Sequence, residues 1–111
     1  MIRVMRVQGR SMEPTLRAGQ LVLVNGCAFH ARAPRRGEVV AARLRALGGR
    51  ALVKRVVGLP HDRVALNGGE RRLGTEEFFL LGDQPDDSLD SRRFGPVKRE
   101  ELIGPVRPPW K

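Results

Sequence analysis

Three observations predict an all-β domain: a small folded sheet or barrel of short, mostly antiparallel strands with one or two brief helical turns. The longest uninterrupted apolar runs are four residues, Leu21–Val24, Val39–Ala42 and Phe78–Leu81. These runs are rich in Val and Leu and are separated by Gly, Pro and Asn, the punctuation of turns. Seven such segments at short spacing, none long enough for a good amphipathic helix, fit a folded sheet rather than a bundle.

The elements follow in order. Ile2–Val7 and Gln20–Val24 are the first two candidate strands. Glu38–Leu44 starts after the Arg36-Gly37 turn, and Ala51–Val57 follows Gly48-Gly49. Arg63–Leu66 runs into Asn67-Gly68-Gly69, and Asn-Gly after such a run is a hairpin signal. Glu77–Leu81 and Leu102–Val106 complete the set. Met12–Leu16 and Arg99–Leu102 read as single helical turns. With no internal repeat and no linker, residues 1–107 form one domain and 108–111 a short tail. The Pro-rich end from Pro105 onward is expected to be mobile.

Length and charge narrow the function classes. The chain has 111 residues, and no apolar run approaches the roughly 20 needed to span a membrane as a helix. The start, Met1-Ile2-Arg3-Val4-Met5-Arg6, lacks the apolar stretch of a secretory signal. One cysteine, Cys27, rules out an internal disulfide and fits a reducing compartment, so a cytoplasmic location is expected. The formal charge of +9 sits in the first half: residues 1–55 carry 12 basic and 2 acidic side chains, residues 56–111 carry 9 and 10. Such a charge suits nucleic acid or an anionic membrane surface. Yet the arginines are scattered, and the only aromatics are Phe29, Phe78, Phe79, Phe94 and Trp110, too few for a single-strand stacking platform.

Three segments carry chemistry. Gly9-Arg10-Ser11-Met12-Glu13-Pro14-Thr15-Leu16 puts a serine in a sharp turn, where outward-pointing N–H groups can form an oxyanion hole. A lone serine there is equally an ordinary turn residue. Leu52-Val53-Lys54-Arg55-Val56-Val57-Gly58 holds one of only three lysines, against 18 arginines. A period of two sets Lys54 on the face of Leu52 and Val56, where desolvation and the adjacent Arg55 disfavour the ammonium. A neutral lysine base at pH 7 needs its pKa lowered by about three units, roughly 4 kcal/mol, and arginine cannot take that role. Taken alone, Lys54 also reads as a strand lysine reaching for solvent. Gly82 through Val97 is dense in small hydrogen-bonding residues, with Asp90 and Arg92 placed as an ion pair. Its carboxylates do not match a calcium loop, and no metal or cofactor is expected.

Together and in this order, the three segments resemble the type I signal peptidases, the S26-like serine–lysine peptidases. Gly9-x-Ser11-Met12-x-Pro14-Thr15-Leu16 is similar to the family's nucleophile box and Lys54-Arg55-Val56-Val57-Gly58 to its base box. Gly82-Asp83 with Ser88-Leu89-Asp90-Ser91-Arg92-x-Phe94-Gly95 is similar to the last box. The resemblance implies a serine endopeptidase that removes N-terminal signal or pro-segments, with Ser11 as nucleophile and Lys54 as general base. It implies that Ser88 orients the lysine and that Asp90, Ser91, Arg92 and Arg55 form its polar support. The Ser11 N–H would form part of the oxyanion hole. Gly9 stands where some members place a second donor, and Met12 adjoins the substrate. The precursor polypeptide would bind as an added strand with small residues before the cut.

With no apolar leader ahead of Gly9 and only 27 residues between Lys54 and Gly82, the chain is expected to be a bare, unanchored core. In that respect it also resembles the peptidases that mature nickel superoxide dismutase. Phe29 and Met12 are expected to form an apolar lip touching substrate or membrane, and the arginine-rich surface to allow peripheral contact with anionic lipid. Cys27, His30 and His61 lack ligand spacing and receive no role. A small basic β-barrel that binds nucleic acid would leave the ordered boxes as coincidence, and no nucleic-acid partner is expected. An inactive family member is the other alternative.

Overall fold

The computed structural model describes residues 1–86 and 89–108. Its strands are β1 (Ile2–Arg6), β2 (Leu21–Asn25), β3 (Val39–Leu44), β4 (Arg50–Gly58), β5 (Arg63–Leu66), β6 (Gly69–Arg72), β7 (Glu77–Leu81), β8 (Val97–Lys98) and β9 (Leu102–Arg107). Two one-turn helices, α1 (Ala28–Ala31) and α2 (Ser91–Phe94), and 3-10 turns at Arg45–Leu47 and Arg99–Glu101 complete it. Seven strands make one sheet in the order β1-β2-β9-β3-β4-β7-β8, while β5 and β6 pair as a separate hairpin. The domain is all-β as expected, and its sheet is folded and open, ending at β1 and β8. No helix among the described residues is long and apolar enough to cross a membrane.

The direction of the strands positions the site. Each neighbouring pair from β1 to β4 is antiparallel. Four such reversals leave β1 and β4 running in the same sense. β4 then divides its residues between two cores, because alternate side chains of a strand face opposite ways. Val56 packs with Phe29, Val40, Leu44, Phe78 and Leu80, with Leu52 against them. Val53 packs with Val7, Met12, Leu16 and Val22 in a second cluster.

Several differences from the expected elements have local causes. β6 is Gly-Glu-Arg-Arg and fully exposed, so no apolar period marks it. It forms because Asn67 and Gly68, with φ of 53° and 79°, turn the chain so that Leu66 pairs with Gly69. The end of the chain is not mobile from Pro105 onward: Pro105, Val106 and Arg107 belong to β9. Pro105 pairs with Val40 of β3 where the β2 pairing has stopped at Val106, and the β3–β9 register shifts farther along, between Ala41 and Ala42, leaving Ile103 unmatched. Gly104, one residue earlier, has no room for a side chain, since a Cβ would lie 2.0 Å from the Asn25 carbonyl oxygen. Met12–Leu16 closes one turn, Leu16 N–H donating to Met12 O at 2.9 Å, around a cis Glu13–Pro14 bond.

Candidate active site

Ser11 lies on the connection from β1 to β2. Gly9 takes the left-handed conformation, φ 75°, that lets the chain turn sharply before it. Glu13 N–H donates to Arg10 O at 3.1 Å, closing a turn around Ser11 and Met12. The turn is anchored on both sides of its tip, because Val7, Met12 and Leu16 are all buried in the second core. Ser11 itself is 8% exposed. Its carbonyl accepts from Gln84 N–H at 2.8 Å. The Gly82 backbone presses against it: a Cβ at Gly82 would sit 2.7 Å from Ser11 O and 3.1 Å from Ser11 Cβ. The Ser11 backbone therefore occupies the space a side chain at residue 82 would need.

The same glycine locates Lys54. β4 pairs with β7 through Arg55↔Leu81 and Val56↔Leu80. Lys54 and Gly82 are the next residues beyond the last of these pairs. Residues opposite each other in an antiparallel pair project to one face, with Cβ atoms about 4.5–5.5 Å apart. Ser11 crowds the Gly82 Cβ position, at the end of the strand that pairs with the one carrying Lys54, although 43 positions of sequence separate residue 11 from residue 54. Lys54 is only 2% exposed. The periodicity reading of its face holds, with Leu52 and Val56 as its neighbours along β4.

Arg55 alternates to the opposite face of β4 from Lys54. It grips Asp83 with two parallel bonds, Nε to Oδ1 at 2.8 Å and Nη2 to Oδ2 at 2.7 Å, and Nη1 donates to Gly37 O at 2.7 Å. Asp83 Oδ2 also accepts from Thr15 Oγ1 at 2.5 Å. One carboxylate thus ties the serine turn to the lysine strand. The Arg55 hydrogen bonds hold the Asp83 carboxyl below the usual range, overcoming its burial, and Asp83 in turn raises Arg55.

A second clamp closes the loop after β7. Asp90 is fully buried and caps α2 by accepting from Arg92 N–H at 3.1 Å. The expected Asp90–Arg92 ion pair forms, with Nε at 3.0 Å and Nη2 at 2.8 Å. Asp90 Oδ2 also accepts from Gly82 N–H at 3.3 Å, which fixes the glycine that faces Ser11. Burial alone would push the Asp90 carboxyl up; the Arg92 guanidinium and the two backbone N–H groups outweigh it and hold it down. Buried Ser91 accepts from Leu80 N–H at 2.9 Å, so it braces β7. Ser88 lies outside the described residues.

One expectation is corrected. Met12 and Phe29 form no lip: Met12 is 0% and Phe29 6% exposed, and each packs in a different core cluster. Three contributors were not foreseen as site residues: Gly82, Asp83 and Thr15. Gly82 and Asp83 stand in the third motif, but their partners are distant in sequence and only the folded sheet reveals them. A cleft of about 230 Å³ opens beside Ser11, lined by Met5, Arg6, Gln8 and the β4 residues Arg50, Ala51, Leu52 and Val53. A larger hollow of about 490 Å³, lined by Phe29, His30, Glu76, Lys98, Arg99 and Glu100, contains neither Ser11 nor Lys54.

Comparison with known proteins agrees with the three motifs. The family described as signal peptidase, peptidase S26, matches residues 1–73 and 67–111. The chain is 31% identical to signal peptidase I of Bacillus caldolyticus, over 90% of this chain and 74% of that protein. It is 29% identical to signal peptidase I of Leptolyngbya laminosa, over 88% of this chain and 63% of that one. It is 31% identical to mitochondrial inner membrane protease subunit 1 of Xenopus tropicalis, over 88% and 62%. The chain thus spans about three fifths to three quarters of the length of these three relatives. With serine, lysine and both supporting clamps set on a sheet that the family match covers from end to end, the chain belongs to the signal peptidase family, peptidase S26.

Proposed function

We propose that this chain is a serine endopeptidase that uses Ser11 and Lys54 as a catalytic dyad to remove N-terminal segments from precursor proteins. The observation that supports the reading is the pairing of β4 with β7, whose register runs out one residue before buried Lys54 and before the Gly82 against which Ser11 packs. Ser11 Oγ attacks the scissile carbonyl carbon while its proton passes to the neutral Lys54 amine. The Ser11 N–H stabilises the oxyanion. Collapse of the tetrahedral intermediate breaks the C–N bond, and the Lys54 ammonium returns the proton to the leaving amine. A water, deprotonated by Lys54, then attacks the acyl-enzyme and releases Ser11.

The substrate enters as an extended strand. On the side away from β3, the β7 pairing begins at Arg55, so among the described residues no strand covers the β4 edge from Arg50 to Lys54. That edge and residues 5–11, which run in the same sense, form the two walls of the cleft leading to Ser11. Main-chain bonds along such an edge hold a peptide without demanding one sequence. The residues before the cut lie in this cleft, and short side chains fit beside Ala51 and Val53. Segment removal from a precursor is the activity the family likeness favours, and the nickel superoxide dismutase precursor is a specialised substrate to test beside an Ala-x-Ala peptide.

The test is cleavage of an Ala-x-Ala precursor peptide by the purified chain, with Ser11→Ala and Lys54→Arg assayed in parallel. Both variants should fold and lose activity by on the order of 10³-fold or more. Lys54→Arg retaining activity would sink the dyad, because arginine keeps the charge and cannot serve as a base.

A further inference from the structure

The cleft beside Ser11 carries charge that the dyad does not use. Of the residues that line it, Arg6 and Arg50 are the charged ones, and both are exposed. Arg6 Nη1 donates to the Gly19 carbonyl at 2.7 Å, which pins its guanidinium without neutralising it. Four other arginines are committed to carboxylates: Arg55 to Asp83, Arg92 to Asp90, Arg32 to Glu38 and Arg36 to Asp62. Arg6 and Arg50 have no such ion pair among the described residues. The cleft is therefore a trough of uncompensated positive charge in the half of the chain that bears 12 basic and 2 acidic side chains.

The position of Arg50 is informative. It shares a face of β4 with Leu52 and Lys54, and along that face burial deepens from exposed Arg50, through Leu52, to buried Lys54. Four residues of strand separate Arg50 from Lys54, about 13 Å at roughly 3.3 Å per residue. An extended peptide added to this edge advances at the same rate, so Arg50 faces a side chain about four residues from the scissile bond. Arg6 lies on the opposite wall, where β1 runs in the same sense as β4.

We infer that Arg50 and Arg6 determine specificity, selecting precursors with Asp or Glu three to five residues before the cut. This rests on the peptidase reading above and deepens it by naming the substrate class. The attraction is between exposed charges, so it is modest per contact and screened by salt.

The experiment compares three Ala-x-Ala peptides carrying Asp, Ala or Lys at the fourth residue before the cut. For the wild-type chain, kcat/KM should favour Asp over Lys by about tenfold at low ionic strength, narrowing to about twofold in 0.5 M salt. Arg50→Glu should lower or reverse the ratio, and Arg50→Lys should restore most of it. Equal cleavage of the Asp and Lys peptides, or an unchanged ratio in Arg50→Glu, overturns the inference. A second readout stands apart from turnover: binding of the same dye-labelled peptides to the Ser11→Ala chain should show the same order of Kd. Preferential binding with no cleavage by the wild type would refute the dyad and leave the acidic selectivity standing. Equal binding, or none, refutes the selectivity.

Discussion

Adding one methyl group at Gly82 should disable cleavage while leaving most of the fold standing. The Gly82 backbone does not have the positive φ that would bar alanine on conformational grounds, so any effect comes from space. An alanine Cβ would lie 2.7 Å from Ser11 O, and ordinary contact begins near 3.4 Å, so the serine carbonyl must retreat by about 0.7 Å. The obstacle is backbone, not the end of a flexible side chain, and the Gln84 N–H bond to that carbonyl at 2.8 Å must stretch with it. A displacement approaching 1 Å at a nucleophile costs up to about 100-fold, so kcat/KM for Gly82→Ala should fall roughly 30- to 100-fold. Overpacking of this kind costs about 1–3 kcal/mol, which lowers Tm by roughly 5–15 °C in a domain of this size. Peptide cleavage and a thermal melt on the same preparation separate the two effects. Gly74→Ala is the control, since its Cβ would meet only the Glu77 side chain, nearest at 3.3 Å, and it should cleave at the wild-type rate. A Gly82→Ala chain within threefold of wild-type kcat/KM would refute the idea that this glycine makes room for Ser11.

The remaining predictions test the frame around the site. Gly104→Ala should fail to fold, because its Cβ would lie 2.0 Å from Asn25 O and 2.7 Å from Asn25 C, in a sheet whose whole stability is about 5–15 kcal/mol. A soluble variant with Tm within 5 °C of wild type would contradict that packing. Asp83 and Asp90 both titrate below the ordinary carboxylate range in the fold. Their stabilisation is therefore complete above the unfolded pKa, about 3.9, and is lost as pH falls through their lower folded values. The urea midpoint should hold steady above pH 5 and drop below pH 4. Asp90→Asn should lower it at neutral pH and flatten the acid slope, and an unaltered slope would show that Asp90 is not part of the acid response.

Much of the site was legible because its informative features are local. The Asp90–Arg92 pair spans two residues, so spacing alone proposes it. Lys54 stood out by its rarity among arginines and by its strand period, both readable without a fold. The Asn67-Gly68 hairpin was equally clear, although β6 lacks any apolar pattern and only the turn announces it. Features that failed to show are those whose partners lie far along the chain. Arg55 and Asp83 are 28 positions apart, and nothing in either motif says that this arginine binds that carboxylate. Met12 and Phe29 look like an apolar rim beside a serine turn, because hydrophobicity does not tell a lip from a core.

The sequence by itself determined the class of fold, most strand positions, the polar turns and the two residue types that a serine–lysine mechanism requires. These follow from side-chain alternation, backbone preference and chemical identity, which belong to single residues and their near neighbours. Tertiary structure decided where Ser11 meets the sheet, against Gly82 and next to the strand of buried Lys54. That meeting depends on the pairing of β4 with β7, on the missing side chain at Gly82 and on two carboxylates that hold separate segments in place. Each is a matter of distance between remote parts of the chain, and only closure of the sheet sets those distances.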